Sequence, residues 1–269
     1  MKDEEIQAIQ ELLSTPKKVV IIPHRSPDGD AMGSTLGLYH FLQKLNHEAV
    51  VIAPNEFPDF LAWLPASETV LIYEKEKEKT AQIILEADLV FTLDFNALHR
   101  TGEMEQVLKK VTAPFIMIDH HQKPDDYAKY MFSDTKYGST CEMLYHFIVS
   151  LGNKDLIDKT IATCIYTGIV TDSGSFRFPS TTSTTHRVVA DLIDIGIENG
   201  AIHNSLFDDS SYNRLQLLCQ ALQNMKILLD KKTSYITLSQ KKLDQNHYVK
   251  SNTEKNINYQ LSIKDVVFT

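Results

Sequence analysis

The chain has 269 residues, of which 43% are hydrophobic and 23% are charged, and its formal net charge is -8 at pH 7. This length predicts one large α/β domain or two domains with a sizeable core. The acidic balance argues against a protein that coats long nucleic acid through a broad basic face. No apolar run approaches the roughly 18 residues that cross a bilayer, so we expect a cytoplasmic protein without a membrane segment.

Strands and helices alternate along the first 170 or so residues. Apolar runs predict strands at 19–23, 48–53, 70–73, 89–94 and 114–118. Amphipathic segments predict helices at 3–13, 31–45, near 103–111, near 139–151 and near 155–169. This alternation is typical of an α/β fold with a doubly wound, mostly parallel sheet and helices on both faces.

The character of the sequence changes after residue 183. We expect a first domain over 1–183, a helical linker over 184–199 and part of a second α/β domain over 200–269. The elements predicted in that second part are a helix at 212–229, a strand at 233–238, a polar loop at 246–258 and a strand at 266–269.

The three cysteines are Cys141, Cys164 and Cys219. They are odd in number, widely spaced and form no C-x-x-C pair, which argues against a zinc ribbon or a disulfide framework. We expect all three to be small buried residues in helices.

Imidazoles and carboxylates follow three of the predicted strands, and they are His24, Asp28, Asp30, Asp94, Asp119, His120 and His121. Each acid alone could simply cap a helix. In a doubly wound sheet, however, ligands bind beyond the carboxyl ends of the strands, so we expect these side chains to meet. Asp172 lies at the end of a predicted helix and joins them only if the fold brings that end round.

The chemistry of this set favours a divalent metal. Two imidazoles and four carboxylates suit Mn²⁺ or Mg²⁺ better than a structural zinc. Six ligands are too many for one catalytic ion, but they suit two ions about 3.5–4 Å apart with one bridging carboxylate. Asp94 stands alone between two clusters and is the natural bridge. The predicted ligands are His24, Asp28, Asp30, Asp94, His120 and Asp172.

The neighbouring His121 and Asp119 have other expected roles. Successive residues leaving a strand point opposite ways, so His120 and His121 are not expected to bind one ion together. One can then be a ligand while the other is a donor to a phosphate or leaving group. Asp119 either orients a histidine ring or caps the next turn. Cations that flank the motifs could bind phosphate or form surface ion pairs, and they are Arg25, Arg100, Lys123 and Arg177.

Four segments carry motifs that belong together: H-x-x-P-D-G-D-A-x-G-S at 24–34, Asp94 after a strand, Asp119-His120-His121, and T-D-S-G-S-F-R-F at 171–178. In this order and spacing they resemble the DHH phosphoesterase family, over roughly residues 15–230. Segments 93–100 and 138–143 are similar to its bacterial nanoRNase branch. Members of that branch are bifunctional oligoribonucleases that also act as 3′-phosphoadenosine 5′-phosphate phosphatases.

The resemblance implies a site with two Mn²⁺ ions, for which Mg²⁺ or Co²⁺ are possible substitutes. By position, His24 and Asp28 hold one ion, Asp30, His120 and Asp172 hold the other, and Asp94 lies between them. The implied catalytic residues are Asp94, Asp119 and His121, with His121 facing the scissile phosphate. The implied substrate contacts are Arg25, Arg100, Ser139 and His121. The expected partner is short single-stranded RNA or a small nucleotide, and a homodimer is a further expectation.

One feature of the branch is missing from the sequence. Its members carry a glycine-rich G-G-H motif in a C-terminal substrate-binding domain, whereas no glycine follows Gly200 here. We therefore expect a complete metal site followed by a truncated second domain. Three alternatives remain open: a linear or cyclic dinucleotide hydrolase, more distantly a pyrophosphatase, and a metal-stabilised binding protein that has lost activity.

Overall fold

The structure is a computed structural model that describes residues 2–208, 212–245 and 260–268. The chain divides into two compact units, Met1–Leu206 and Phe207–Thr269. Among the described residues, no helix has both the length and the apolar character needed to cross a membrane.

The first unit is built on a six-stranded sheet in the order β3-β2-β1-β4-β5-β6, and every pairing in it is parallel. The strands are β1 Lys18–Pro23, β2 Glu48–Ala53, β3 Leu71–Ile72, β4 Leu89–Leu93, β5 Phe115–Asp119 and β6 Tyr130–Ser133. This is the order of a doubly wound sheet, in which the chain reverses its direction of growth between β1 and β4. The predicted α/β fold is confirmed.

Helices cover both faces of this sheet. The helices of the first unit are α1 Asp3–Leu12, α2 Gly29–Lys44, α3 Lys77–Leu85, α4 Glu105–Leu108, α5 Thr140–Ser150, α6 Lys159–Asp172, α7 Ser183–Asp194 and α8 Asn199–His203. Ile84 of α3 and Leu108 of α4 pack in one buried cluster with Val20 and Val90. On the opposite face α2 contacts β1, β2 and β4 while α5 contacts β5. Alternate residues of each strand thus face two separate layers of helices.

Two glycines let three helices approach closely. A Cβ on Gly168 of α6 would lie 2.2 Å from Cys141 Sγ and 2.7 Å from Asp30 Oδ1. A Cβ on Gly33 of α2 would lie 2.5 Å from the carbonyl oxygen of Cys164. Neither position admits a side chain without movement of its neighbours, so both glycines allow α6 to pack against α2 and α5. That packing carries the end of α6 towards the carboxyl edge of the sheet.

Two elements of the first unit differ from the prediction. The strand β6 was not predicted, because Tyr130–Ser133 is only four residues long and every residue in it is half-buried. The helix expected near 155–169 begins at Lys159 and continues to Asp172. The range 184–199, predicted as a helical linker, contains most of α7, which packs on α5 and α6. The predicted domain boundaries stay a prediction.

The second unit contains α9 Tyr212–Gln223, β7 Lys226–Leu228, β8 Thr233–Tyr235 and α10 Gln240–Gln245, with β7 and β8 paired antiparallel. The prediction of one helix over 212–229 is wrong beyond Gln223. The side-chain amide of Asn224 donates to the carbonyl of Thr237 at 2.8 Å, and the chain enters the β7–β8 pair there.

Three smaller predictions have mixed outcomes. Of the terminal strand expected at 266–269, the structure shows an isolated bridge between Phe268 and Thr233. The polar loop expected at 246–258 lies outside the described residues. Cys141 and Cys164 are buried as expected, but Cys219 is exposed on α9, so that part of the cysteine prediction is wrong.

Candidate metal centre

The candidate site lies at the carboxyl ends of β1, β4 and β5, where the sheet reverses its order. His24 follows β1, Asp94 follows β4 and His120 follows β5. Because β1 and β4 are neighbours, their ends form the crevice in which doubly wound proteins bind ligands. The structure therefore brings together the side chains that the strand ends predicted.

Potential ligand atoms lie within 4.8 Å of one another in three groups among the described residues. The groups are His24, Asp28 and Asp94; Asp30, His120 and Asp172; and Asp94, His120 and His121. All six predicted ligands are included, Asp172 among them. Asp172 joins the site because it is the last residue of α6, the helix that Gly33 and Gly168 bring close to α2 and α5.

Asp94 belongs to the first group and also faces the second. Its Oδ2 is 3.5 Å from Nε2 of His24, and its Oδ1 is 3.4 Å from Nε2 of His120. The two oxygens of one buried carboxylate therefore face imidazoles from different groups. The backbone of Asp94 has φ +66°, a left-handed conformation that is uncommon outside glycine and costs free energy. Local strain of this kind is concentrated at functional sites.

The loop after β1 holds Asp28 and His24. Asp28 caps α2, because its Oδ1 accepts hydrogen bonds from the amides of Asp30 at 3.0 Å and Ala31 at 3.1 Å. Its Oδ2 lies 3.9 Å from Nε2 of His24. Nδ1 of His24 lies 2.9 Å from the carbonyl oxygen of Arg25, where a proton on Nδ1 would be donated. Asp28 is thus both a helix cap and a member of the site.

The start of α5 holds Asp30, which is fully buried. The amide of Thr140 donates to its Oδ2 at 2.6 Å, and the amide of Cys141 donates to its Oδ1 at 2.9 Å. The hydroxyl of Thr140 also donates to Oδ1 of Asp94 at 3.0 Å. These donors were not predicted from the sequence, although a Gly-Ser-Thr sequence before an apolar helix signals a helix N-terminus, where amides favour anions.

His120 and His121 both face Asp94, contrary to expectation. Nε2 of His120 is 3.4 Å from Oδ1 of Asp94 and 3.4 Å from Oδ2 of Asp172. Nδ1 of His121 is 3.8 Å from the same oxygen of Asp94, and the two rings pack edge to face. The prediction that they point apart is wrong because β5 ends at Asp119, and the alternation of side chains ends with the strand.

Asp119 holds the ring of His121. Oδ1 of Asp119 lies 2.7 Å from Nδ1 of His121, which leaves Nε2 as the nitrogen available to another group. Asp119 is fully buried, and its Oδ2 has no hydrogen-bond partner among the described residues. The carboxylate therefore orients a histidine whose side chain is 38% exposed, as one of the two sequence interpretations predicts.

The site concentrates negative charge. Burial and the charges of Asp94 and Asp172 raise the pKa of Asp30 well above its usual value, and burial and Asp94 raise the pKa of Asp172 to about 7. Burial opposes the charged imidazoles, but hydrogen bonds and charges, chiefly of Asp94, raise the pKa of His24 to about 9 and of His120 to about 10. Burial would raise the pKa of Asp94, yet the hydrogen bonds with these histidines hold it well below its usual range.

This donor set fits divalent metal ions. A cluster of buried carboxylates needs positive charge, and in the protein alone two protonated imidazoles supply it. A hard divalent cation supplies the same charge and frees the imidazoles to act as neutral nitrogen ligands.

The predicted substrate contacts outside the ligand groups differ in their exposure to solvent. Arg25 and Arg100 are both exposed, and the amide of Arg25 donates to the carbonyl of Arg100 at 2.8 Å, so the two residues are neighbours beside His24. The guanidinium of Arg25 pairs with Glu74 at 2.9 Å. Ser139 is buried, and its hydroxyl caps α5 by accepting from the amide of Glu142. Its contact with substrate stays a prediction.

The profile of the DHH family N-terminal domain matches residues 18–169, more than half of the chain. Together with the doubly wound sheet and the cluster at its switch point, this match shows that the chain belongs to the DHH family.

Individual relatives share most of the chain. The bifunctional oligoribonuclease and PAP phosphatase NrnA of Thermus thermophilus is 34% identical over 215 residues, which cover 79% of this chain and 61% of the relative. The probable enzyme of the same name from Streptococcus mutans is 28% identical over 224 residues, 83% of this chain and 66% of the relative. The chain thus spans less than two thirds of either relative.

Two solved structures share the fold of this chain. An exopolyphosphatase-related protein from Bacteroides fragilis is 37% identical and superimposes with a TM-score of 0.96, covering 99% of this chain and 79% of that one. A putative family II inorganic pyrophosphatase from Methanococcus jannaschii is 15% identical with a TM-score of 0.51, covering 80% of this chain and 69% of that one, which shows a shared fold alone.

Proposed function

We propose that this chain is a two-metal phosphoesterase that hydrolyses short oligoribonucleotides to mononucleotides and 3′-phosphoadenosine 5′-phosphate to AMP. One observation carries the two-metal part of the proposal. The two carboxylate oxygens of Asp94 face His24 and His120, which belong to different groups of potential ligands. A carboxylate placed in this way suits a bridge between two ions.

In this proposal His24 and Asp28 would hold one Mn²⁺, Asp30, His120 and Asp172 would hold the other, and Asp94 would contribute to both. When bound, two such ions supply positive charge and Lewis acidity for an in-line displacement at phosphorus. Mg²⁺ or Co²⁺ would be the substitutes, since oxygen and imidazole ligands accept several divalent metals.

The remaining side chains position the ligands and the substrate, and one of them supplies a proton. Asp119 fixes Nδ1 of His121, so His121 presents Nε2 to the phosphate and donates a proton to the leaving oxygen. The amides at the start of α5 hold Asp30, and the hydroxyl of Thr140 holds Asp94, which limits reorganisation of the centre. Arg25 and Arg100 bind phosphate oxygens at the rim.

The substrate part of the proposal is supported by the names of the relatives. Two of them are named as bifunctional oligoribonuclease and PAP phosphatase, one of these as probable. A cyclic-di-AMP phosphodiesterase of Listeria monocytogenes is 23% identical over 228 residues, which cover only 34% of that protein. Cyclic dinucleotides are therefore the alternative substrate. A cytoplasmic location, a homodimer and a substrate-binding role for the second unit stay predictions.

The test is hydrolysis of a substrate panel with added Mn²⁺: a linear dinucleotide, a longer RNA, 3′-phosphoadenosine 5′-phosphate, a cyclic dinucleotide and pyrophosphate. We expect cleavage of the dinucleotide and of 3′-phosphoadenosine 5′-phosphate, and its loss in Asp94→Ala. Asp155→Asn is the matched control, because this exposed carboxylate precedes α6, at the other end of that helix from Asp172. Wild-type turnover by a folded Asp94→Ala protein would contradict the bridging role.

A further inference from the structure

The loop that follows Asp172 is strained and firmly held. Gly174, Ser175 and Phe176 have φ values of +56°, +57° and +66°, three successive left-handed residues. This conformation is unfavourable for serine and phenylalanine, so it persists only where surrounding contacts enforce it. Ser173 supplies such contacts, because its hydroxyl accepts from the amide of Phe176 at 2.9 Å and its carbonyl accepts from the amide of Arg177 at 3.0 Å.

Both ends of this loop adjoin the candidate metal centre. The amide of Phe178 donates to the carbonyl of Ser173 at 3.0 Å, which brings Phe178 back beside the residue that follows Asp172. Further along, the carbonyl oxygen of Ser180 lies 3.1 Å from the Cβ position of Gly138, two residues before Thr140. The loop is therefore attached at one end to α6 and at the other to the start of α5.

Two exposed side chains are anchored on one glycine of the loop. The ring of Phe178 lies against Gly174, where a Cβ would come within 2.6–2.9 Å of three ring carbons, yet the side chain of Phe178 remains 46% exposed. Nε of the exposed Arg177 donates to the carbonyl of Gly174 at 2.7 Å. An aromatic ring and a guanidinium are thus both anchored on Gly174, two residues after Asp172.

We propose that Phe178 is a stacking platform for a nucleobase of the substrate, with Arg177 beside it for the adjoining phosphate; this inference rests on the proposed function. Aromatic rings that stack on bases, combined with cations that follow the backbone, are the usual means of holding short single strands without sequence preference. In a chain with a net charge of -8, a nucleotide must find its cations locally. The firmly held loop provides one cation and one ring that need little further ordering.

The test measures how strongly the enzyme prefers a base-bearing substrate. The substrates are a 5′-phosphorylated adenine dinucleotide and its analogue with hydrogen in place of both bases, each with Mn²⁺. We expect the ratio of their kcat/KM values to fall about tenfold or more in Phe178→Ala, mainly through a higher KM for the dinucleotide. The ratio should fall similarly in Phe178→Leu, because leucine keeps apolar volume without a ring. Phe178→Tyr keeps a ring and should retain the wild-type preference.

Leu85→Ala is the matched control, since Leu85 is 47% exposed on α3, on the other side of the sheet from α2 and α5. Its ratio should equal that of the wild type. A wild-type ratio in both Phe178→Ala and Phe178→Leu would overturn the platform while leaving the proposed function intact. Equal losses on both substrates would also overturn it, because they would indicate damage to the centre. Failure of the wild type to cleave either substrate would refute the proposed function itself.

Discussion

The amide of Thr140 donates to Oδ2 of Asp30 at 2.6 Å, and this hydrogen bond joins the start of α5 to a carboxylate buried at the centre of the site. Asp30 is thus held by a helix N-terminus, where partial positive charge favours an anion. The hydroxyl of the same threonine reaches Asp94, so one residue contacts carboxylates that we assign to two metal positions.

The hydroxyl of Thr140 should matter for metal binding. In Thr140→Val, the buried Asp94 loses a hydrogen bond that holds its Oδ1, while the shape of the side chain is kept. Loss of a partner that orients a ligand typically weakens metal affinity by about 10–100-fold. For Thr140→Val we expect a loss of Mn²⁺ affinity near the lower end of that range, about tenfold. Calorimetric titration of Thr140→Ser, which keeps the hydroxyl, is the control. Equal affinities for the valine and serine variants would show that the hydroxyl does not position Asp94.

A buried pair joins α5 to α7. Oε2 of Glu142, a residue that is 1% exposed, accepts from the hydroxyl of Thr185 at 2.8 Å, and burial raises the pKa of Glu142. Thr185→Val should destabilise the protein by about 1–3 kcal/mol, since it leaves a buried acceptor without its partner. Thermal unfolding should show a lower Tm than for Thr185→Ser. Matching Tm values in the two variants would mean that the hydroxyl contributes nothing.

The close approach of α6 to α2 and α5 can be tested at Gly168. A methyl group there would lie 2.2 Å from Cys141 Sγ and 2.7 Å from Asp30 Oδ1, so Gly168→Ala should cost about 1–3 kcal/mol of stability and weaken Mn²⁺ binding. Gly200→Ala is the matched control, because Gly200 also lies in a helix and nothing lies within 4 Å of its Cβ position. Urea unfolding measures both variants. A Gly168→Ala protein as stable as Gly200→Ala would contradict the packing.

Without metal, stability should fall as the pH rises. The folded-state pKa of Asp172 is raised from 3.8 to about 7, so its contribution to stability is complete below 3.8 and is lost as the pH rises through about 7. His24 and His120 act in the same direction, with contributions complete below 6.5 and lost through about 9 and about 10. Urea midpoints in the presence of a chelator should therefore decrease between pH 5 and pH 9.

Added Mn²⁺ should reverse this trend, because it binds the deprotonated ligands and its stabilisation grows as protons leave them. Asp172→Asn removes the contribution of Asp172 to this pH dependence. Its urea midpoint in the presence of a chelator should therefore decrease less steeply between pH 5 and pH 7. Midpoints that rise with pH in the chelated wild type, or an unchanged slope in Asp172→Asn, would contradict the assigned charge balance.

The sequence predicted those parts of the site that follow strands. His24, Asp94 and His120 each follow an apolar run, and parallel strands bring such ends to one edge. Asp172 could be predicted only conditionally, because its place depends on how closely helices pack at Gly168. The amide of Thr140 was missed because any residue type can supply a backbone donor. The types of side chain at a site can therefore be predicted from the sequence. The packing of helices and the donation of backbone amides cannot, because they depend on the tertiary structure.

The number of Mn²⁺ ions bound per chain decides whether the site holds two metals. Chelator-treated protein would be titrated with Mn²⁺ at pH 8 while the free ion is followed by electron paramagnetic resonance. We expect two ions per chain, since the two groups of ligands are joined by the opposite oxygens of Asp94. A titration that saturates at a single ion per chain, or that shows no binding, would contradict the two-metal account.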